Sequence, residues 1–114
     1  MSISVTIDEL PAAIDKQIGW CYLLTTSDEG LPRILAIAPD WTVDRAALQA
    51  EISAGTAKSV IARPTVTLVY PPRAAEGFSL IVDGAGSVDG PVLTFTPAKA
   101  VMHRPAVGRS IRDQ

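Results

Sequence analysis

Few residues in this chain could do chemistry, and most of the usual constellations cannot be built from them. There is one cysteine, Cys21, and one histidine, His103. That excludes an internal disulfide and a structural Cys/His zinc site. No G-x-S-x-G elbow and no phosphate-cradling P-loop occur, and the glycine-rich run from Gly84 to Gly90 is one residue too long for G-x-G-x-x-G. Glycines there suit a bulge or a bend in a barrel. A Ser-His-Asp triad would have to use His103, and nothing singles out its serine. The adjacent acids Asp8-Glu9 and Asp28-Glu29 read as a helix start and a turn, where solvated carboxylates are ordinary. The side chains alone are poor material for acid–base or covalent catalysis, so an enzyme built on this chain would rely on a cofactor.

One segment suits an anion. Thr56-Ala57-Lys58-Ser59 opens a helix just after Gly55, which follows a strand. Free backbone N–H groups and the helix dipole favour negative charge there, and Thr56, Lys58 and Ser59 add donors. The same residues also describe a capped helix with an exposed lysine, and both readings stay open at this stage. Arg33, directly after Pro32, and the pair His103-Arg104 are weaker candidates, for contact with an anion or for an interface between two copies.

Apolar residues Ile7, Leu10, Ala13, Ile14 and Ile18 fall at helical spacing and predict a helix over about 6–18, with Thr6 or Asp8 as cap and Pro11 tolerated only in the first turn. Residues 20–27 and 32–38 read as a hairpin around Asp28-Glu29-Gly30, and Pro39-Asp40 breaks the second strand. A third strand is expected over 46–52, ended by Gly55, and a second helix over 56–63, capped by Thr56 and stopped before Pro64. Residues 65–70, 78–88 and 92–96 complete the strands, with 98–103 as a possible continuation. Six short strands joined by short loops, with two short helices, describe an α+β, mainly β domain whose sheet is largely antiparallel and closes toward a barrel.

Composition bounds the partners. The 114 residues, 47% hydrophobic and 19% charged, allow one domain with one core, and residues 106–114 read as a tail. Net charge is −2 with a pI near 5.2, which argues against a nucleic-acid binder. Residues 1–55 carry three basic and eight acidic groups and residues 56–114 seven and four, so the cations lie in the second half. An arm at 103–112 has three arginines but no aromatic residue to stack a base. No stretch approaches the ~20 apolar residues of a membrane helix, and the start does not read as a signal peptide. A cytoplasmic domain without membrane or nucleic-acid partner, dimerising to cover apolar surface, is expected.

Taken together, YLLTTSDEGLPRILAIAP, TAKSVIARPTVTLVYPP, FSLIVDGAGSV and VMHRP resemble the flavin-binding split-barrel family related to pyridoxamine 5′-phosphate oxidase, in its small bacterial members. The resemblance covers about residues 5–105 and rests on the combination of segments rather than on one diagnostic motif. It implies a six-stranded antiparallel split barrel and a homodimer with FMN at the subunit interface. The strand along the flavin would be Ile34, Leu35, Ala36, Ile37 and Ala38, and the phosphate would fall on Ser53, Thr56 and Lys58. The oxidase has basic residues at both ends of that strand, where this chain has Leu35 and Asp40. The resemblance therefore implies an FMN-dependent oxidoreductase of unspecified small-molecule substrate. The alternatives are a non-catalytic protein binding a flavin, a deazaflavin or another small anionic ligand, and an interaction module without cofactor.

Overall fold

A computed structural model describes residues 1–106; the expected tail lies almost wholly outside the described residues. Eight strands and two helices follow in the order β1 (Ser2–Val5), α1 (Leu10–Asp15), β2 (Cys21–Thr26), β3 (Pro32–Ile37), β4 (Asp40–Trp41), β5 (Leu48–Glu51), α2 (Ala54–Ala62), β6 (Thr65–Tyr70), β7 (Ser79–Asp89) and β8 (Val92–His103). All strands join one sheet in the order β3-β2-β6-β7-β8-β5-β4, with β1 also on β8. Every pairing is antiparallel.

The expected six strands are therefore eight. The two additions, β1 and β4, have four and two residues, too short to carry a local pattern. Each exists because a longer neighbour offers an open edge: β8 to β1 and β5 to β4. The break expected at Pro39-Asp40 is thus a corner, after which Asp40 resumes as a strand.

The first helix spans six residues rather than 6–18. Pro11 lacks the N–H that would bond back to Ile7, so residues 6–9 form a turn instead. Glu9 N donates to Thr6 Oγ1 at 3.2 Å, while the Thr6 amide and hydroxyl donate to Glu9 Oε1 at 2.9 and 2.8 Å. This reciprocal box holds the Glu9 carboxyl below its ordinary range. The second helix starts two residues before the expected point, and its cap is Ser53 rather than Thr56. Ser53 is extended and its Oγ accepts from Thr56 N at 3.3 Å, which puts Gly55 inside the first turn.

The core fills the curl of the sheet. Leu23, Leu68, Leu80, Val82, Leu93 and Phe95 form its centre, closed at one end by Val60 of α2 and at the other by Leu10 of α1. Between Asp83 and Gly84 the β7–β8 register shifts by one, leaving Ala98 as the extra residue. A bulge there sharpens the bend of the long hairpin. Gly84 lies so close to β8 that a Cβ would overlap the Thr96 carbonyl oxygen. At Gly86 a Cβ would come within 2.8 Å of Val60, so α2 seats directly on the β7 backbone.

Candidate functional site

Two clefts follow strand β3. The first, about 320 Å³, is lined by Thr25 of β2, Arg33 of β3, and Ser53, Gly55, Thr56 and Ser59 at the start of α2. Ser53, Thr56 and Ser59 recur every three residues and so share one side of the helix. The Ser53 cap satisfies Thr56 N, which leaves the Ala54 and Gly55 amides at the helix start without intrahelical partners. Gly55 has open space where a Cβ would be, so a ligand can approach its backbone. Thr25 and Arg33 are cross-strand partners, and the bond made by the Arg33 guanidinium among the described residues is a 3.5 Å contact to Pro32 O. The far end of α2 is clamped by Arg63, whose Nε donates to Thr26 O at 2.7 Å and whose Nη2 meets Asp28 at 2.9 Å. The helix is therefore fixed at its far end to β2 and the turn that follows, and along its buried side to β7.

The second cleft, about 550 Å³, is the gap in the barrel. Ala36, Ile37 and Ala38 form one wall, Gln49, Ala50 and Glu51 of β5 the other, with Asp40 and Val92 at its margins. Ala36, Ala38 and Ala50 present small side chains to this gap, and its charged members, Asp40 and Glu51, are both acidic.

The candidate residues divide accordingly. Ser53, Thr56, Ser59 and Arg33 meet in one cleft, while Ala36 and Ile37 line the other. Lys58 is exposed and stands outside both, because two residues from Thr56 on a helix point to another side. Ile34 faces outward at 62% exposure and Leu35 is half-buried; neither lines a cleft. His103 and Arg104 lie at the far end of β8 from Val92. His103 Nδ1 is 3.1 Å from Ser2 Oγ, and Arg104 stacks 4.6 Å from the Phe78 ring centre. Thr25 was not singled out by sequence. Counting back across the Asp28-Glu29-Gly30 turn from Arg33 would have found it.

Cys21 is buried beside Tyr70. Burial pushes its thiol up to about 12 and raises the Tyr70 hydroxyl too, with the neighbouring Cys21 adding to the rise. Both groups are neutral in folded and unfolded chains at pH 7, so they do not affect stability there. Above about pH 9 the unfolded thiol ionises and the folded one does not, so stability should fall by about 1.4 kcal/mol per pH unit from Cys21 alone. Urea midpoints between pH 8 and 11 should show this decline, and Cys21→Ala should make it shallower.

Among the described residues no cluster of His, Cys, Asp or Glu could hold a metal, and no helix is long and apolar enough to cross a membrane. No family model matches the sequence, and no curated protein is significantly similar to it. Solved structures do match the fold. A Clostridium acetobutylicum protein related to general stress protein 26 of B. subtilis, of the pyridoxinephosphate oxidase family, has a TM-score of 0.66 at 13% identity, over 88% of this chain and 91% of its own. An FAD-binding protein from Mycobacterium smegmatis has a TM-score of 0.62 at 17% identity, over 91% and 100%. An F420 reductase has a TM-score of 0.60 at 13% identity, over 77% and 93%. At these identities the likeness is one of fold: the chain is a split β-barrel of the kind found in proteins related to pyridoxamine 5′-phosphate oxidase.

Proposed function

We propose that the chain binds the phosphate of a flavin, FMN or a deazaflavin, and serves as a flavin-dependent oxidoreductase. The observation that carries this is the α2 cleft, where one guanidinium, four hydroxyls and the open start of a nine-residue helix converge on about 320 Å³. This donor set suits a dianionic phosphate. Arg33 would supply the main side-chain charge, with Ser53, Thr56 and Ser59 as hydroxyl donors, and Lys58 would contribute only at longer range. The β3–β5 gap begins further along the same strand, so a ligand held at α2 can extend past Ile34 and Leu35 toward Ala36 and Ile37. A bound flavin would supply hydride or electron transfer; the chain's part is to grip, orient and shield it.

The fold is shared with an FAD-binding protein and an F420 reductase, which supports a flavin-type ligand without choosing its ring. A second copy of the chain is proposed to cover the outer face of β2 and β3, where Tyr22 and Ile34 are exposed and share one side of the hairpin. The experiment is titration of FMN with the purified chain, followed by flavin fluorescence, alongside the mass in solution. Quenching at micromolar protein with riboflavin bound more weakly, and a mass of two chains, are expected. Unquenched FMN would favour the reading as an interaction module without cofactor, and the mass of one chain would remove the dimer.

A further inference from the structure

Thr25 of β2 is only 5% exposed, yet it lines the α2 cleft. Its Oγ1 makes no hydrogen bond among the described residues, and it is not one of the side-chain atoms sealed from solvent without a partner. The oxygen therefore keeps a little accessible surface, and the cleft is where Thr25 meets open space. Buried hydroxyls are almost always paired. The strand does not need this one: Thr25 is already held in register opposite Arg33, and valine would fill the same volume with no polar atom to satisfy. An unpaired hydroxyl on so buried a residue, beside the open start of α2, points to a ligand that bonds it.

The donors around it exceed what a helix cap uses. Ser53 and Thr56 share a 3.1 Å hydrogen bond, so that pair keeps one hydroxyl proton to give. Thr25 and Ser59 each have another, and the Ala54 and Gly55 amides lack intrahelical partners. Arg33 spends one N–H on its 3.5 Å contact to Pro32 O, which leaves the rest of its fork free. Among the described residues no carboxylate lines the cleft to answer the guanidinium. Three hydroxyl protons, two amides and a guanidinium match the three unbridged oxygens of a phosphate monoester, at about two donors to each, and its charge of about −1.5 to −2. A phosphodiester offers two unbridged oxygens and a single charge. It would leave donors unpaired in a partly buried place, and sites of that kind discriminate steeply.

We propose that the α2 cleft selects a terminal phosphate monoester, with Thr25 as the residue that separates it from a diester. Resting on the phosphate reading of that cleft, the selection favours FMN, which ends in a monoester, over FAD and F420, whose phosphates are bridged on both sides. FMN, FAD and riboflavin can be titrated into the purified chain by calorimetry. Phenyl phosphate and methyl phenyl phosphate, a monoester and a diester without a flavin, can be titrated into the ¹⁵N-labelled chain, read at the Gly55 amide resonance. FMN should bind about tenfold or more tighter than FAD, the worth of one hydrogen bond to a charged group, and phenyl phosphate tighter than its methyl ester. Thr25→Val, which keeps the shape and removes the hydroxyl, should weaken FMN by about 10- to 150-fold and leave FAD and riboflavin nearly unchanged. Thr25→Ser should restore most of the loss. The proposal is overturned, with the flavin reading intact, if FAD binds as tightly as FMN or if a folded Thr25→Val chain keeps the full preference for FMN. It is overturned as well if methyl phenyl phosphate matches phenyl phosphate. A preference for phenyl phosphate over its methyl ester, with FMN no tighter than phenyl phosphate, would uphold the selection and remove the flavin. Binding of none of the five would remove both. Should Thr25→Val fail to fold, the wild-type comparisons decide between the same outcomes.

Discussion

Gly84→Ala is expected to cost about 3 kcal/mol of folding stability, the upper part of the range for overpacking a well-packed core. A methyl group there would overlap the Thr96 carbonyl oxygen and come within 2.7 Å of the Phe95 ring. The first neighbour is backbone, held in the β7–β8 ladder at the bulge, so it cannot swing aside as a side chain would. Phe95 is itself buried in the core. A domain with a total stability of ~5–15 kcal/mol would lose a large share. Gly55→Ala is the control: its Cβ would meet open space inside a helix, where alanine is favoured by roughly 0.5–1 kcal/mol. Urea unfolding of the two variants should move in opposite directions. A loss below about 1 kcal/mol in Gly84→Ala would mean that the hairpin relaxes at this point.

Arg33→Ala should weaken FMN binding by about 10- to 150-fold, since a charge-assisted contact to phosphate is worth roughly 1.5–3 kcal/mol. Riboflavin, which lacks the phosphate, should bind the wild type weakly and be nearly indifferent to the change. Folding should barely respond, because the arginine is exposed and its own hydrogen bond is a long contact to the preceding residue. Lys58→Ala should have a much smaller effect on FMN, as this lysine lies on another side of α2. Fluorescence titrations of both flavins against the variants provide the measurement. A greater loss in Lys58→Ala than in Arg33→Ala would move the phosphate away from the β2–β3 side of the helix. Equal losses for FMN and riboflavin in Arg33→Ala would separate the arginine from the phosphate altogether.

The legible part of the fold was the part with local signals. The β2–β3 hairpin could be read because Asp28-Glu29-Gly30 sits between two β-rich runs, and Gly30 indeed takes the left-handed conformation, with φ of 81°. β6 alternates cleanly and was found at its observed bounds. The split-barrel class was legible only through the order of several segments, none diagnostic alone. β1 and β4 were hidden because they are held by partners distant in sequence. The first helix was overextended because Ile7 and Ile18 keep helical spacing although the turns that hold them are not α-helical. At the site, Thr56 and Ser59 were legible from the helix start and Ser53 only through the resemblance, while the meeting of Arg33 with them was not legible. The cleft at the start of α2 is lined by Ser53, Gly55, Thr56 and Ser59, with Lys58 turned to another side of the helix. Arg33 comes into reach only through the strand pairing that puts it opposite Thr25.

The β8 strand serves three neighbours at once. One edge pairs with β7 along the hairpin, while the other is shared by β5 at the start and β1 at the end. The β7 pairing closes across a tight turn, but the β1 pairing joins residues 101 apart, such as Ser2 and His103. Closing so long a loop brings little local reward at first, and three of the four β1 residues are exposed. The barrel therefore has an order of assembly written into one strand: the long hairpin can form early and β1 attaches last. In the reverse direction β1, of which Val5 alone packs against the core, is the strand expected to detach first. The free edge that would appear at residues 100–103 of β8 is the natural place for this chain to pair with another strand, whether in misassembly or in exchange between copies.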